Sequence, residues 1–189
     1  MLFGSTDLHL LRKCPCPIWL ANPGRRRRYE RILAAVDPYS DAPESAALDR
    51  TILELAAALA ALEKSELHVV HVWRLEGEEF LRGRLAGVAN IDVDEMTRDV
   101  QRAHEQRLAR LLRPYAARKP VVHFKKGVAA QVIPAVARRT KADLLVMGTV
   151  GRSGVEGLLI GNTAERILNA VRCSVLTVKP HGFVTPVKS

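Results

Sequence analysis

Residues 142–168 read ADLLVMGTVGRSGVEGLLIGNTAERIL, and the order of the parts within this stretch decides the fold. Leu144-Leu145-Val146-Met147 is a short apolar run bounded by Asp143 and Gly148, the pattern of a strand buried on both faces. A loop carrying Gly148, Gly151, Gly154, Gly157 and Gly161 follows. Asn162 or Thr163 can then cap a helix whose apolar positions Ile167, Leu168 and Val171 fall at helical spacing. Strand, glycine-rich loop and helix N-terminus together form a geometry that cradles phosphate. Loop N–H groups point inward, and the helix dipole favours an anion. No Lys-Ser/Thr pair follows the glycines as a P-loop requires, and the spacing is not GxGxxG. Glycines alone are equally compatible with a loop that merely turns the chain.

Working outward, strands alternate with helices. Ile32 to Asp37 is an apolar strand ending in a carboxylate, followed by a turn from Pro38 to Pro43. Glu44 to Glu63, with Ala47, Ile52, Leu55, Leu59 and Leu62 near helical period, is a helix. Leu67 to Trp73 (LHVVHVW) is a second buried strand. Residues 74–92, with Gly77, Gly83 and Gly87, show no clear element and read as an excursion. Asp94 to Tyr115 is an amphipathic helix with Met96, Val100, Ala103, Leu108, Leu111 and Tyr115 as its stripe. Pro120 to Lys126 is a third strand, and Ala129 to Thr140 a helix whose first turns Pro134 should kink or shift. The fourth strand ends at Met147, and Ser174 to Val178 is the fifth. This order predicts a doubly wound, five-stranded parallel sheet with helices on both faces. Ligands in such sheets sit beyond the C-terminal strand ends at the topological switch point, where Asp37, Val72 and the glycine loop would converge.

A chain of 189 residues with 48% apolar and 26% charged residues is globular and long enough to bury a core. No apolar run approaches the roughly 18 residues of a membrane span. The first twenty residues lack a basic region before a long apolar core, so no signal peptide is recognised and cytoplasm is the default. Cys14 and Cys16 are too close to bridge comfortably, and the three cysteines read as reduced thiols without metal-ligand spacing. The net charge is +9, and much of the excess sits in Arg25 to Arg28. That run is either a solvated linker or an attractor of acidic surfaces. With only 5% aromatic residues and no stacking platform, nucleic-acid binding is disfavoured.

Residues 1–21 align without a gap to the C-terminal end. Leu2-Phe3-Gly4-Ser5-Thr6 meets Leu159-Ile160-Gly161-Asn162-Thr163, Leu10-Leu11 meets Ile167-Leu168, Cys16 meets Cys173, and Ile18 to Ala21 meets Val175 to Val178. The pattern is an internal repeat of the terminal loop–helix–strand unit. Asn22-Pro23-Gly24 and the arginines read as a linker.

The spacing Gly148-x2-Gly151-x9-Gly161 followed by a small polar residue resembles the nucleotide-binding signature of universal stress proteins. The resemblance implies an adenine-nucleotide alpha-hydrolase-like, Rossmann-like three-layer sandwich that binds ATP, with or without Mg2+, as a stress-response sensing module. It implies contacts to adenosine from Asp37 and Val72, with Met147 and Gly148 under the sugar and first phosphate. Gly151, Gly161, Asn162 and Thr163 would hold the phosphates. Asp37 reads equally as a turn-forming aspartate before Pro38, and Val72 as a core valine. In one departure, Asn162 stands where the family usually has Ser or Thr. An amide can donate to phosphate but offers no hydroxyl to a metal.

Tandem members of the family carry two such domains, and this chain resembles the second. Residues 1–21 would be the end of a preceding domain, 22–29 a basic linker, 30–180 the domain and 181–189 a tail. Family members pair through the fifth strand, so Ile18 to Ala21 is expected to lie antiparallel to a fifth strand. The partner would be in its own chain, a homodimer or a strand-exchanged oligomer. No general base beside a nucleophile and no metal cluster can be assembled from spacing, so a binding module with at most slow ATP hydrolysis is expected. The alternative is a structural protein acting through dimerisation. His68 and His71, alternating with apolar residues on a strand, read as hydrogen-bonded core groups, although His71 could face the mouth of the pocket.

Overall fold

The computed structural model describes residues 5–22, 28–39, 43–84, 92–149 and 160–180. In chain order the elements are α1 (Ser5–Lys13), β1 (Ile18–Leu20), β2 (Arg31–Ala35), α2 (Pro43–Glu63), β3 (Glu66–Trp73), α3 (Glu78–Arg84), α4 (Val93–Leu112), β4 (Val121–Lys126), α5 (Ala129–Arg139), β5 (Leu144–Gly148), α6 (Asn162–Ala170) and β6 (Ser174–Val178). They form one sheet of order β1-β6-β5-β2-β3-β4. Five strands are parallel, as expected; the sixth, β1, is added antiparallel to β6.

Period-two alternation distributes the strand side chains between two cores. Leu33, Val70, Leu145 and Val175 face Leu11 of α1, Ile133 and Val136 of α5 and Ile167 and Leu168 of α6. Ile32, Ala34, Val69, Val146 and Leu176 face Ile52, Leu53 and Ala56 of α2 and Leu108 of α4. The result is a three-layer α/β sandwich. The chain winds from β2 outward through β3 to β4, then crosses back to place β5 and β6 on the other side of β2. The switch point therefore lies between β2 and β5.

Several expectations need correction. The excursion at 74–92 contains helix α3, although Gly83 lies in it. Its hold is electrostatic: Glu78 pairs with Arg82 one turn on at 3.0 Å and with Lys126 at 2.7 Å, and Arg82 reaches Asp94 of α4 at 2.6 Å. Residues 85–91 lie outside the described set. The long helix stops at Leu112, and Pro114 initiates a 3-10 segment, Arg113–Arg118, that carries Tyr115. Met96 is exposed rather than part of the packed stripe. Helix α5 runs continuously through Pro134, whose ring is buried.

The expected antiparallel partner of residues 18–21 is β6 of the same chain, with Ile18 opposite Thr177, Trp19 opposite Leu176 and Leu20 opposite Val175. In the ungapped repeat alignment the ends of α1, Ser5 and Lys13, fall on Asn162 and Ala170, the ends of α6. Trp19 falls on Leu176, its own partner across the ladder. A local two-fold axis therefore passes through the Trp19–Leu176 pair and relates the two copies. Of the arginine run, Arg28 is described: its guanidinium donates twice to the Glu63 carbonyl, at 3.0 and 2.8 Å, closing the C-terminus of α2. None of Cys14, Cys16 and Cys173 is in a disulfide.

Candidate functional site

A cleft of about 720 Å3 opens at the C-terminal ends of β2, β3, β4 and β5, next to the first turn of α6. Its volume is within the range of small-molecule sites. Seven of the residues singled out from sequence line it together: Asp37, Val72, Met147, Gly148, Gly161, Asn162 and Thr163. Gly151 lies outside the described residues.

Local structure explains how each part is placed. The Asp37 N–H donates to Asp49 Oδ1 of α2 at 2.9 Å, which fixes the turn leaving β2. A Cβ at Gly148 would come 2.8 Å from Leu48 Cδ2, so only glycine lets α2 close over the end of β5 without displacing Leu48. Gly127, at φ +146°, adopts a conformation reserved for glycine and turns the chain from β4 into α5 at the rim of the cleft.

The cap of α6 differs from the sequence expectation. Gly161, in extended conformation, is the N-cap, and Asn162 is the first helical residue. The Gly161 carbonyl accepts from Glu165 N at 3.0 Å, which starts the helix one residue early. The Gly161 N–H donates to the Thr149 carbonyl at 2.8 Å, so it closes the loop and is not turned toward a ligand. No side chain caps this terminus. The first-turn N–H groups are those a bound anion satisfies, and Asn162, Thr163 and Ala164 all line the cleft.

Charge in the described lining comes from Asp37, Asp49, Glu76 and Arg74. Arg74 is forked onto Glu76, Nε to Oε1 and the terminal nitrogen to Oε2, both at 2.9 Å. Among the described lining residues no lysine is present. An anion in this cleft would rely on main-chain dipoles rather than on a P-loop type of cation. Among the described residues no group of three or more His, Cys, Asp or Glu side chains is assembled to hold a metal.

Sequence reasoning missed Tyr39 and His104. His104 is 2% exposed on α4 and lies against fully buried His71 of β3, Nδ1 to Nε2 at 2.7 Å. The Tyr39 ring stacks on His104 at 3.9 Å, and the Arg107 guanidinium sits 4.7 Å over Tyr39. A signal was present: Val100, His104 and Leu108 recur at four-residue spacing on the stripe itself. His68, the other strand histidine, is paired on the opposite face with His123 at 3.0 Å and with Glu66 at 3.3 Å. Both strand histidines are hydrogen-bonded, as read from the alternation.

A profile of the universal stress protein family matches residues 28–179. Universal stress protein E of Salmonella typhi is 30% identical over the whole of this chain, which spans 59% of that relative. A Haemophilus influenzae homologue of universal stress protein E is 28% identical over 95% of this chain and 57% of its own length. This chain thus covers less than two thirds of these relatives. The crystal structure of a functionally unknown Pseudomonas aeruginosa protein superposes with a TM-score of 0.74 at 30% identity, covering 95% of this chain and 57% of that one. Universal stress protein UspA from Lactobacillus plantarum has the same fold, with a TM-score of 0.59 at 18% identity over 81% of this chain and 99% of that one.

Proposed function

Since the chain belongs to the universal stress protein family, we propose that its cleft binds an adenine nucleotide, ATP with or without Mg2+, and that the protein is a nucleotide-sensing module of a stress response. One observation carries this reading: seven residues chosen from a nucleotide-binding pattern, scattered over 127 positions of sequence, line a single cleft at the switch point. Asp37 would accept from a ribose hydroxyl or the adenine amine, and the Val72 main chain would meet the base edge. The N–H groups of Asn162 and Thr163, with the Asn162 amide, would hold phosphate at the positive end of α6. Thr163 supplies the hydroxyl that Asn162 lacks. The role of this module is binding, with hydrolysis at most slow.

Small molecules released from freshly purified, denatured protein should include adenine nucleotide, and ATP should titrate with saturation. Asp37→Ala should weaken that binding on the order of tenfold, the worth of one hydrogen bond to a charged group. An empty extract together with no saturable binding would transfer the function to the interaction surfaces.

A second proposal concerns residues 1–21, which we read as the end of a preceding domain of the same kind. The two-fold relation of α1–β1 to α6–β6 supports it. Removing residues 1–21 would bare the edge of β6, and the shortened protein should dimerise through that edge in sedimentation analysis. A well-folded monomer would overturn this reading.

A further inference from the structure

Positive charge is gathered on one margin of the molecule. Residues 106–142 hold six arginines and four lysines and no Asp or Glu, which by itself exceeds the net charge of +9. In the fold this segment is the second half of α4, the 3-10 segment Arg113–Arg118, β4 and α5. Helix α4 covers one face of the sheet and α5 the other, and both run back toward the end at which the strands begin. Their basic C-terminal ends, Arg110 and Arg113 on one side and Arg138 and Arg139 on the other, therefore flank the start of β4. Arg118 and Lys119 lead into the strand, and all six are exposed. Burial pushes His123 of β4 below the usual histidine range, and His68, Arg139 and Lys125 push it the same way. The guanidinium at the end of α5 thus acts directly on this strand.

The same strand is an open edge of the sheet. Among the described strands β4 pairs with β3 alone, so every second residue turns its N–H and C=O outward. At six residues it is longer than β1, the three-residue strand on the other margin. Alternation puts Val121, His123 and Lys125 on the α5 face with Val70, and Val122 and Phe124 on the α4 face with Leu108. Val121 and Val122 are 46% and 44% exposed. Acids around the strand are already engaged: Glu78 holds Lys126 and Arg82, and Glu66 faces Arg31 and His68. Among the described residues no carboxylate pairs with Arg113, Arg118, Lys119, Lys125 or Arg139.

We propose that the β4 margin is a docking site for an extended acidic peptide segment of another protein, which adds to the sheet as one more strand. Its main chain takes up the outward N–H and C=O groups of β4, and its apolar side chains lie beside Val121 and Val122. Its carboxylates fall among the cations at the ends of α4 and α5, which no acid of the segment itself neutralises. A second copy of this chain is a poor occupant, because it would bring an equally basic margin against this one. A nucleic acid would find cations, but valines where it stacks its bases on aromatic rings, and it has no use for a row of main-chain hydrogen bonds.

Fluorescence anisotropy of the whole chain with a labelled peptide of alternating Glu and Val, about ten residues long, tests the proposal. Binding should saturate at low salt and weaken on the order of tenfold in Arg118→Glu/Arg139→Glu, whose two sites are exposed. The same peptide N-methylated at alternate residues should lose most of its affinity, because it cannot complete the ladder, and one with Lys in place of Glu should not bind. On the wild type, peptide-induced amide shifts should gather at residues 118–126. Equal binding of the N-methylated peptide, shifts centred on other residues, or no saturable binding at low salt overturns the proposal. Tighter binding of duplex DNA or RNA than of the peptide at the same salt overturns it in favour of a nucleic acid. Dimerisation through β4 that excludes the peptide overturns it in favour of a second copy.

Discussion

The two copies of the loop–helix–strand unit share a pattern and differ in their fate. In α6–β6, the helix packs Ile167 and Leu168 into the core, the strand is buried at every position, and the helix N-terminus faces the cleft. In α1–β1, Leu11 is fully buried like its counterpart Leu168, but Leu10, the counterpart of Ile167, is 51% exposed, and Trp19 is 43% exposed. The same amphipathic code yields a complete core element when strands flank it on both sides and a half-covered one at a sheet edge. A site follows from the neighbours, not from the helix–strand unit: the cleft needs the ends of β2, β3 and β5.

The largest expected effect separates equivalent positions. Ile167→Ala should destabilise by about 2–5 kcal/mol, whereas Leu10→Ala should stay within about 0.5 kcal/mol; urea midpoints at equal m-values would read both. Similar losses at the two positions would break the comparison, because Leu10 would then be packed in solution.

A smaller effect depends on pH. Lys179 aligns with Asn22, which settles as a neutral residue, its side-chain amide donating to the Arg172 carbonyl at 2.8 Å. Lys179 is 8% exposed, and burial pushes its ammonium from 10.5 down to about 8, with a smaller opposing contribution from neighbouring Cys14. The folded state binds this proton less readily than the unfolded one, so the penalty is fully present below about 8. Stability should rise as pH climbs from about 8 toward 10.5. Lys179→Met should abolish that rise in thermal unfolding measured across the window, and an unaltered profile would refute the assignment.

The smallest effect is expected at the ion pair joining the copies. Arg12 and Glu165 meet at 3.2 Å but are 37% and 32% exposed. Arg12→Ala should therefore cost under about 1 kcal/mol, shrinking further in high salt.

Much of this arrangement was legible because it rests on local pattern. Each parallel strand announced itself as an apolar run between breakers, and the glycine spacing located the start of α6 within a residue. What escaped depends on tertiary partners. Helix α3 is a seven-residue segment with an internal glycine whose support, Lys126 and Asp94, is remote in sequence. The Gly161 cap is set by the Thr149 carbonyl, which competes for the N–H that a ligand would otherwise have met. His104 lay on a helix stripe as an apparent polar interruption. Only the packing of α4 against β3 shows that it completes a hydrogen-bonded pair.

The short strand β1 also bears on how the protein behaves when concentrated. The edge of a sheet is a template on which further strands of other molecules can grow. On one side the growing edge is a ladder of three residues, preceded by Pro15 and by Pro17, which has no N–H to donate. On the other side β4 ends in Lys125, whose charge opposes a like strand, and in Lys126, which is paired with Glu78. Among the described strands, the β1 edge is therefore the better guarded of the two, since β4 begins with exposed Val121 and Val122.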